Sequence, residues 1–306
     1  MEIASEIFTQ CLPPHPRPGI HRVPGIFLHV CHAWASIATS TPTLWATIRI
    51  DFPCANGSEK TVEGWLERAG SCALDITLAG FIHPEVVSMI WRWSEQLETL
   101  QILLAETERV DEDDYASGVR EFLGGMDPGF LPSLKTLVVR CEDRVGCLWS
   151  EILDLLRGSP NLADAVLDCI DALDEVDESM EEVVLPNLRR MTFGRHSGLP
   201  VGNDELLKVI TAPQLETLTL AMERVDDDDL TSFLLRSSPP LQDLILAKCR
   251  LLAMERGLST VARLGLWSPH PRELILVQAV GPAAFHSGLT PQPPTSGSSF
   301  RLYSYD

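Results

Sequence analysis

The chain is 306 residues long, 45% hydrophobic and 7% aromatic, with a net charge of −19. Its length supports a sizeable core, its charge opposes nucleic acid and anionic lipid as partners, and no apolar run reaches the roughly 18–20 residues of a membrane span. The start MEIASEIFTQCLPP has neither the basic nor the apolar region of a secretory signal, and eight scattered cysteines without a CxxC pair read as reduced thiols in a cytosolic or nuclear protein.

Residues 1–44 are predicted to form a small helical domain. In EIASEIFTQCL, the residues Ile3, Ile7, Phe8 and Cys11 or Leu12 fall along one helical stripe. PPHPRPGIHRVPG follows, too rich in proline and glycine to be regular. IFLHVCHAWASIAT predicts a second helix, with Phe27, Val30, Cys31, Trp34, Ile37 and Ala38 at helical spacing. Pro42, in STPTLW, forbids its continuation.

From residue 45 onward a repeat dominates. The string P-x-L-x-x-L-x-L occurs as PSLKTLVV (Leu134, Leu137, Val139), PNLADAVL (Leu162, Ala165, Leu167), PNLRRMTF (Leu188, Met191, Phe193), PQLETLTL (Leu215, Leu218, Leu220) and PPLQDLIL (Leu241, Leu244, Leu246). Looser copies start at Trp45, Ala73, Leu97 and Pro271, so successive starts are 28, 24, 37, 28, 26, 27, 26 and 30 residues apart. The last two apolar residues of each copy are two apart, the spacing of one strand face. The proline before the first leucine is expected to stop the preceding helix and impose an extended entry.

Helical patterns lie between the copies, in TVEGWLERAGS, HPEVVSMIWRWSEQL, WSEILDLLRGSP, NDELLKVITAP and DDDLTSFLLRSSPP. Each unit therefore reads strand, turn, helix, turn, and only stacking with its neighbours would bury its apolar face. The acidic segments 105–118, 171–182 and 225–229 read as solvated turns and helix starts, or as a negative face for a basic partner. The tail 281–306 is rich in Pro, Ser and Gly and reads as disordered, with FRLYSYD as one more strand at most.

No nucleophile, phosphate-binding or zinc-protease motif occurs. The pair His29 and His32 in HVCH lacks further ligands to complete a metal set. The residues call for no catalytic centre, cofactor or metal.

Two resemblances follow. The repeat, with its period near 27 residues, resembles the leucine-rich repeat. That implies a right-handed α/β solenoid over residues 45–280, with a parallel sheet and outer helices. EIASEIF followed by VCHAWASIA and the Leu44-Trp45 step resembles the F-box of fungal F-box proteins over residues 1 to about 50. The pattern departs from that family at its start, where Met1 rather than Leu-Pro precedes Glu2. The resemblance implies a substrate-recognition subunit of an SCF-type cullin–RING ubiquitin ligase, which itself performs no chemistry. The box would dock on a Skp-type adaptor, and the repeats would hold an unidentified protein substrate. Carried over residue by residue, Ile3, Ile7, Phe8, Leu12, Val30, Cys31, Trp34, Ile37 and Leu44 form the docking face or the box's own core. Trp45 joins the box to the first repeat. The substrate face would lie at the x positions of the repeat, including Lys135, Arg189, Arg190, Glu216, Thr219 and Gln242. A stand-alone repeat scaffold with a vestigial box is the second reading.

Overall fold

A computed structural model describes residues 2–53, 58–80, 82, 84–104, 129–141, 146–147, 149–168, 171–172, 181–194, 206–221, 227–247, 273–277 and 300–303. The protein is mixed α/β, and its longer strands pair in parallel. Contacts divide it into two compact units, residues 1–162 and 163–306.

The first unit opens with three short helices, α1 (Glu2–Gln10), α2 (Phe27–Val30) and α3 (His32–Thr39), and a 3-10 turn at Pro42–Trp45. The single helix expected over residues 26–39 is therefore two. Cys31 adopts an extended backbone (φ −162°, ψ 168°) between them. Continuous apolar spacing cannot reveal this break, because both pieces keep their apolar residues turned to the same neighbours. Next come β1 (Thr47–Asp51), α4 (Ser58–Ala69), β2 (Leu74–Ala79), α5 (Pro84–Ile90) and a 3-10 segment, Trp91–Gln96. The unit continues with β3 (Leu97–Leu104), β4 (Thr136–Cys141), β5 (Gly146–Cys147) and α6 (Trp149–Arg157). Strands β1, β2, β3 and β4 lie side by side in chain order. Parallel neighbours need a crossover, and α4 and α5 supply two.

The register sets equivalent repeat positions next to each other. Ile48, Ile76, Leu100 and Leu137 form one lateral row, and Ile50, Leu78, Ile102 and Val139 the next. All eight are buried. One copy is shifted by a residue. Ala73 is exposed, while Leu74 is buried opposite Leu97, and the register slips between Leu74 and Asp75.

The second unit contains β6 (Asp164–Asp168), β7 (Asp171–Ala172), β8 (Val183–Val184), β9 (Arg190–Gly194), α7 (Leu206–Val209) and β10 (Ile210–Thr211). It ends with β11 (Thr217–Ala221), α8 (Asp227–Ser237), β12 (Asp243–Ala247), β13 (Glu273–Val277) and β14 (Phe300–Tyr303). Strands β6, β9, β11, β12, β13 and β14 follow one another in parallel, and β8 pairs with β10. Ala165, Met191, Leu218 and Leu244 share one buried row. Gly194 closes β9 with φ +127°, and a Cβ there would lie 2.5 Å from the Ala221 carbonyl oxygen, so glycine is required on both counts.

The prolines act differently from the extended entry expected of them. The amides of Leu134, Leu162, Leu188 and Leu215 donate to the carbonyls of Leu131, Ser159, Leu185 and Ala212, at 3.2–3.3 Å. Each proline thus occupies the second position of a four-residue turn, where its fixed φ is already correct. The leucine after the turn is delivered into the core, and all four are buried. The acidic segment 105–118, most of 171–182 and nearly all of the tail lie outside the described residues. So do Asn203 and Asp204, the first residues of the helical pattern NDELLKVITAP, and Pro271. Within the tail, Phe300–Tyr303 is a strand. No helix among the described residues is long and apolar enough to cross a membrane.

Candidate interaction surfaces

The N-terminal helices are held by a small aromatic cluster. Phe8 of α1 stacks on Phe27 of α2, with ring centroids 4.1 Å apart. Trp34 of α3 meets both, at 5.0 Å from Phe8 and 5.8 Å from Phe27. Phe8 and Phe27 are 4% and 5% exposed. Such ring pairs add about 0.5–1.5 kcal/mol each beyond the area they bury. Thr41 Oγ1 lies 3.0 Å from Ser5 Oγ, which ties α1 to the end of α3.

This packing separates two roles that sequence spacing leaves merged. Phe8, Leu44 and Trp45 are buried and hold the domain together. Leu12 and Ile37 are half-buried. Ile3, Ile7, Val30 and Trp34 are 79%, 55%, 52% and 40% exposed, and Cys31 is exposed as well. Ile20 and Ile26 are also exposed, although their spacing gave no reason to single them out. The elements clamped by the cluster therefore carry large apolar side chains that no described residue covers. Contiguous exposed apolar surface is a common feature of interaction sites, which makes these residues candidates for one.

Trp45 fastens this domain to the strands. Its ring is buried, and its Nε1–H donates to the Ala38 carbonyl of α3 at 2.8 Å. Trp65 of α4 packs edge-on against it at 5.0 Å and donates its own Nε1–H to the Trp45 carbonyl at 2.9 Å. The Arg68 guanidinium sits over the Trp45 ring, 5.1 Å from its centroid. Helix, turn and strand are thus locked by one side chain that is both fully buried and fully hydrogen-bonded.

The Pro-rich loop covers the free edge of β1. The Arg49 amide donates to the Pro16 carbonyl at 2.7 Å, and Arg17 pairs with Asp51 at 2.9 Å. An unpaired edge would otherwise offer its amides to another chain.

The predicted substrate-face residues line the starts of the strands, where they are laterally paired. In the first unit Lys135 reaches Glu98 at 2.7 Å. In the second, the amides of Arg189, Glu216 and Gln242 donate in series to the carbonyls of Ala163, Arg189 and Glu216, at 2.7–2.9 Å. Arg190 clasps Asp164 with two hydrogen bonds, which raises its pKa further. Arg189 faces Glu216 at 3.6 Å. Thr219 stands beside Thr192 and Ile245 in a half-buried row that runs through Val166. The row Asp164, Arg190, Thr217 and Asp243 borders it. Within the second unit, Val166, Thr192, Thr219 and Ile245 thus form a half-buried row bordered by the Arg190–Asp164 pair.

One titratable group on the first unit is poorly satisfied. Asp75 Oδ1 is buried without a hydrogen-bond partner among the described residues. Burial pushes its carboxyl above the usual carboxylate range; His15 of the Pro-rich loop opposes this shift and Glu98 adds to it. No family model matches the chain, and no similar curated protein or solved structure was found.

Proposed function

We propose that this chain is an F-box-type substrate receptor, joined through its N-terminal helices to the Skp-type adaptor of a cullin–RING ubiquitin ligase. On this reading the strand-and-helix units form a right-handed leucine-rich-repeat solenoid that holds a target protein, and the chain does no chemistry. It supplies proximity, raising the effective concentration of a target lysine near the ligase's charged partner. The supporting observation is the exposed set Ile3, Ile7, Val30 and Trp34 on helices clamped by Phe8 and Phe27. A domain this small gains nothing in stability from exposed isoleucines, whereas a partner would bury them. The rigid Trp45 joint suits a receptor that must present its cargo in a fixed orientation.

The test is capture of the full chain by purified Skp-type adaptor. Ile7→Asp alters an exposed position, so stability should change by no more than about 0.5 kcal/mol, while capture should fall by about tenfold or more. Failure of the unaltered chain to bind, both as it is and with Leu-Pro placed ahead of Glu2, would overturn the reading in favour of a stand-alone repeat scaffold.

A further inference from the structure

We propose that Thr41 is a phosphorylation site for a proline-directed Ser/Thr kinase, and that its modification releases α1 and dismantles the exposed apolar face. The proposal rests on the docking role just given to that face.

Three Ser/Thr-Pro pairs fall among the described residues, Thr41-Pro42, Ser159-Pro160 and Ser238-Pro239. Ser159 is fully buried, and its hydroxyl is held by the Leu155 carbonyl. Ser238 has a left-handed backbone, φ 43°, which an extended substrate cleft does not accept. Thr41 has φ −119° and ψ 82°, the extended side of the map that a following proline favours. Ser40, Pro42 and Thr43 around it are exposed.

The hydroxyl also has structural work. It donates to the Ile37 carbonyl at 2.7 Å, and Ser5 Oγ of α1 lies 3.0 Å away. The Thr41 hydroxyl thus has two acceptors within reach, the Ile37 carbonyl and Ser5 Oγ, and its one proton can serve only one of them at a time. In the transfer, the bond between the γ-phosphorus of ATP and the bridging oxygen breaks and a bond from phosphorus to Thr41 Oγ1 forms. The hydroxyl proton passes to the kinase's carboxylate base and ADP leaves. The ester oxygen can no longer donate to Ile37. The phosphate adds a charge of about −1.5 to −2 and three bulky oxygens where Ser5 now packs. Neither α1 nor α3 carries a lysine or arginine to receive that charge, and α1 brings Glu2 and Glu6. On helices that carry acids and no lysine or arginine, an added phosphate disrupts a contact by like-charge repulsion rather than ordering it. With α1 go Ile3 and Ile7, two of the four residues that support the docking reading.

The experiment treats the full chain with a purified proline-directed kinase and ATP, maps the phosphate by mass spectrometry, and follows amide exchange over residues 2–12. Phosphate is expected on Thr41, absent in Thr41→Ala. Exchange in α1 should rise by about tenfold, with adaptor capture falling by a similar factor, and phosphatase should reverse both. No phosphate at Thr41, or phosphate there with α1 exchange unchanged, overturns the proposal. If the unmodified chain fails to bind the adaptor, the docking reading falls, and the exchange measurement still decides whether Thr41 releases α1.

Discussion

Asp75 is the residue whose surroundings suit its charge least. Its neighbours across the strands are Thr47 and Thr99, and one carboxylate oxygen is buried without a hydrogen bond among the described residues. Desolvation disfavours the ionised form in the folded chain more than in the unfolded one. Folding is therefore penalised while the group is ionised, and the penalty fades as pH falls through the raised folded value toward the unfolded one. Asp75→Asn removes the charge while keeping the size of the side chain. It should raise Tm at pH 7, and the gap from the parent chain should narrow toward pH 4. Thermal melts across that range check this, and a variant that melts lower at pH 7 would show that burial is not the dominant influence on Asp75. The Arg17–Asp51 pair is a useful contrast. Both partners are well exposed, so Arg17→Ala should cost at most about 1 kcal/mol.

Among the elements, the strand rows carry most of the apolar packing. Leu218 is fully buried, flanked in register by Met191 and Leu244. Leu218→Ala should cost about 2–5 kcal/mol in chemical denaturation, and a loss below 1 kcal/mol would mean that the row closes over the missing side chain. Gly194→Ala should also destabilise, since it combines strained φ with a clash against Ala221. The strands were legible in the sequence because an apolar residue at every second position has little alternative to a buried face. The details that escaped notice are set by neighbours rather than by period. Ala73 and Leu74 both suit a strand entry, and only the slip against Leu97 selects the leucine. The break at Cys31 leaves the apolar spacing on either side intact. Exposure on α1 could not be read at all, because Ile3, Ile7 and Phe8 look alike in a helical pattern. Phe8 turns inward because Phe27 and Trp34 meet it there.

At the scale of the molecule, charge sets the response to solution conditions. A net charge of −19 gives long-range self-repulsion, whereas the visible ion pairs are exposed and individually weak. Repulsion should dominate, so raising NaCl from about 0.02 to about 0.3 M, which shortens the Debye length severalfold, should raise Tm. A fall would show that the lateral pairs outweigh the net charge. The charge was plain from composition and the repeat from spacing, whereas the pairing of Arg190 with Asp164 depended on a register that residue spacing alone does not fix.

The strap over β1 also gives the row of strands a direction. Pro13, Pro14, Pro16 and Pro18 have no amide proton, so the segment that occupies β1's free side cannot pass the ladder on to another strand. Duplicated units could be spliced in after β1 without disturbing this closure. A unit placed ahead of it would have to displace Pro16 from Arg49 and Arg17 from Asp51. The β1 edge of this sheet is thereby closed to further pairing.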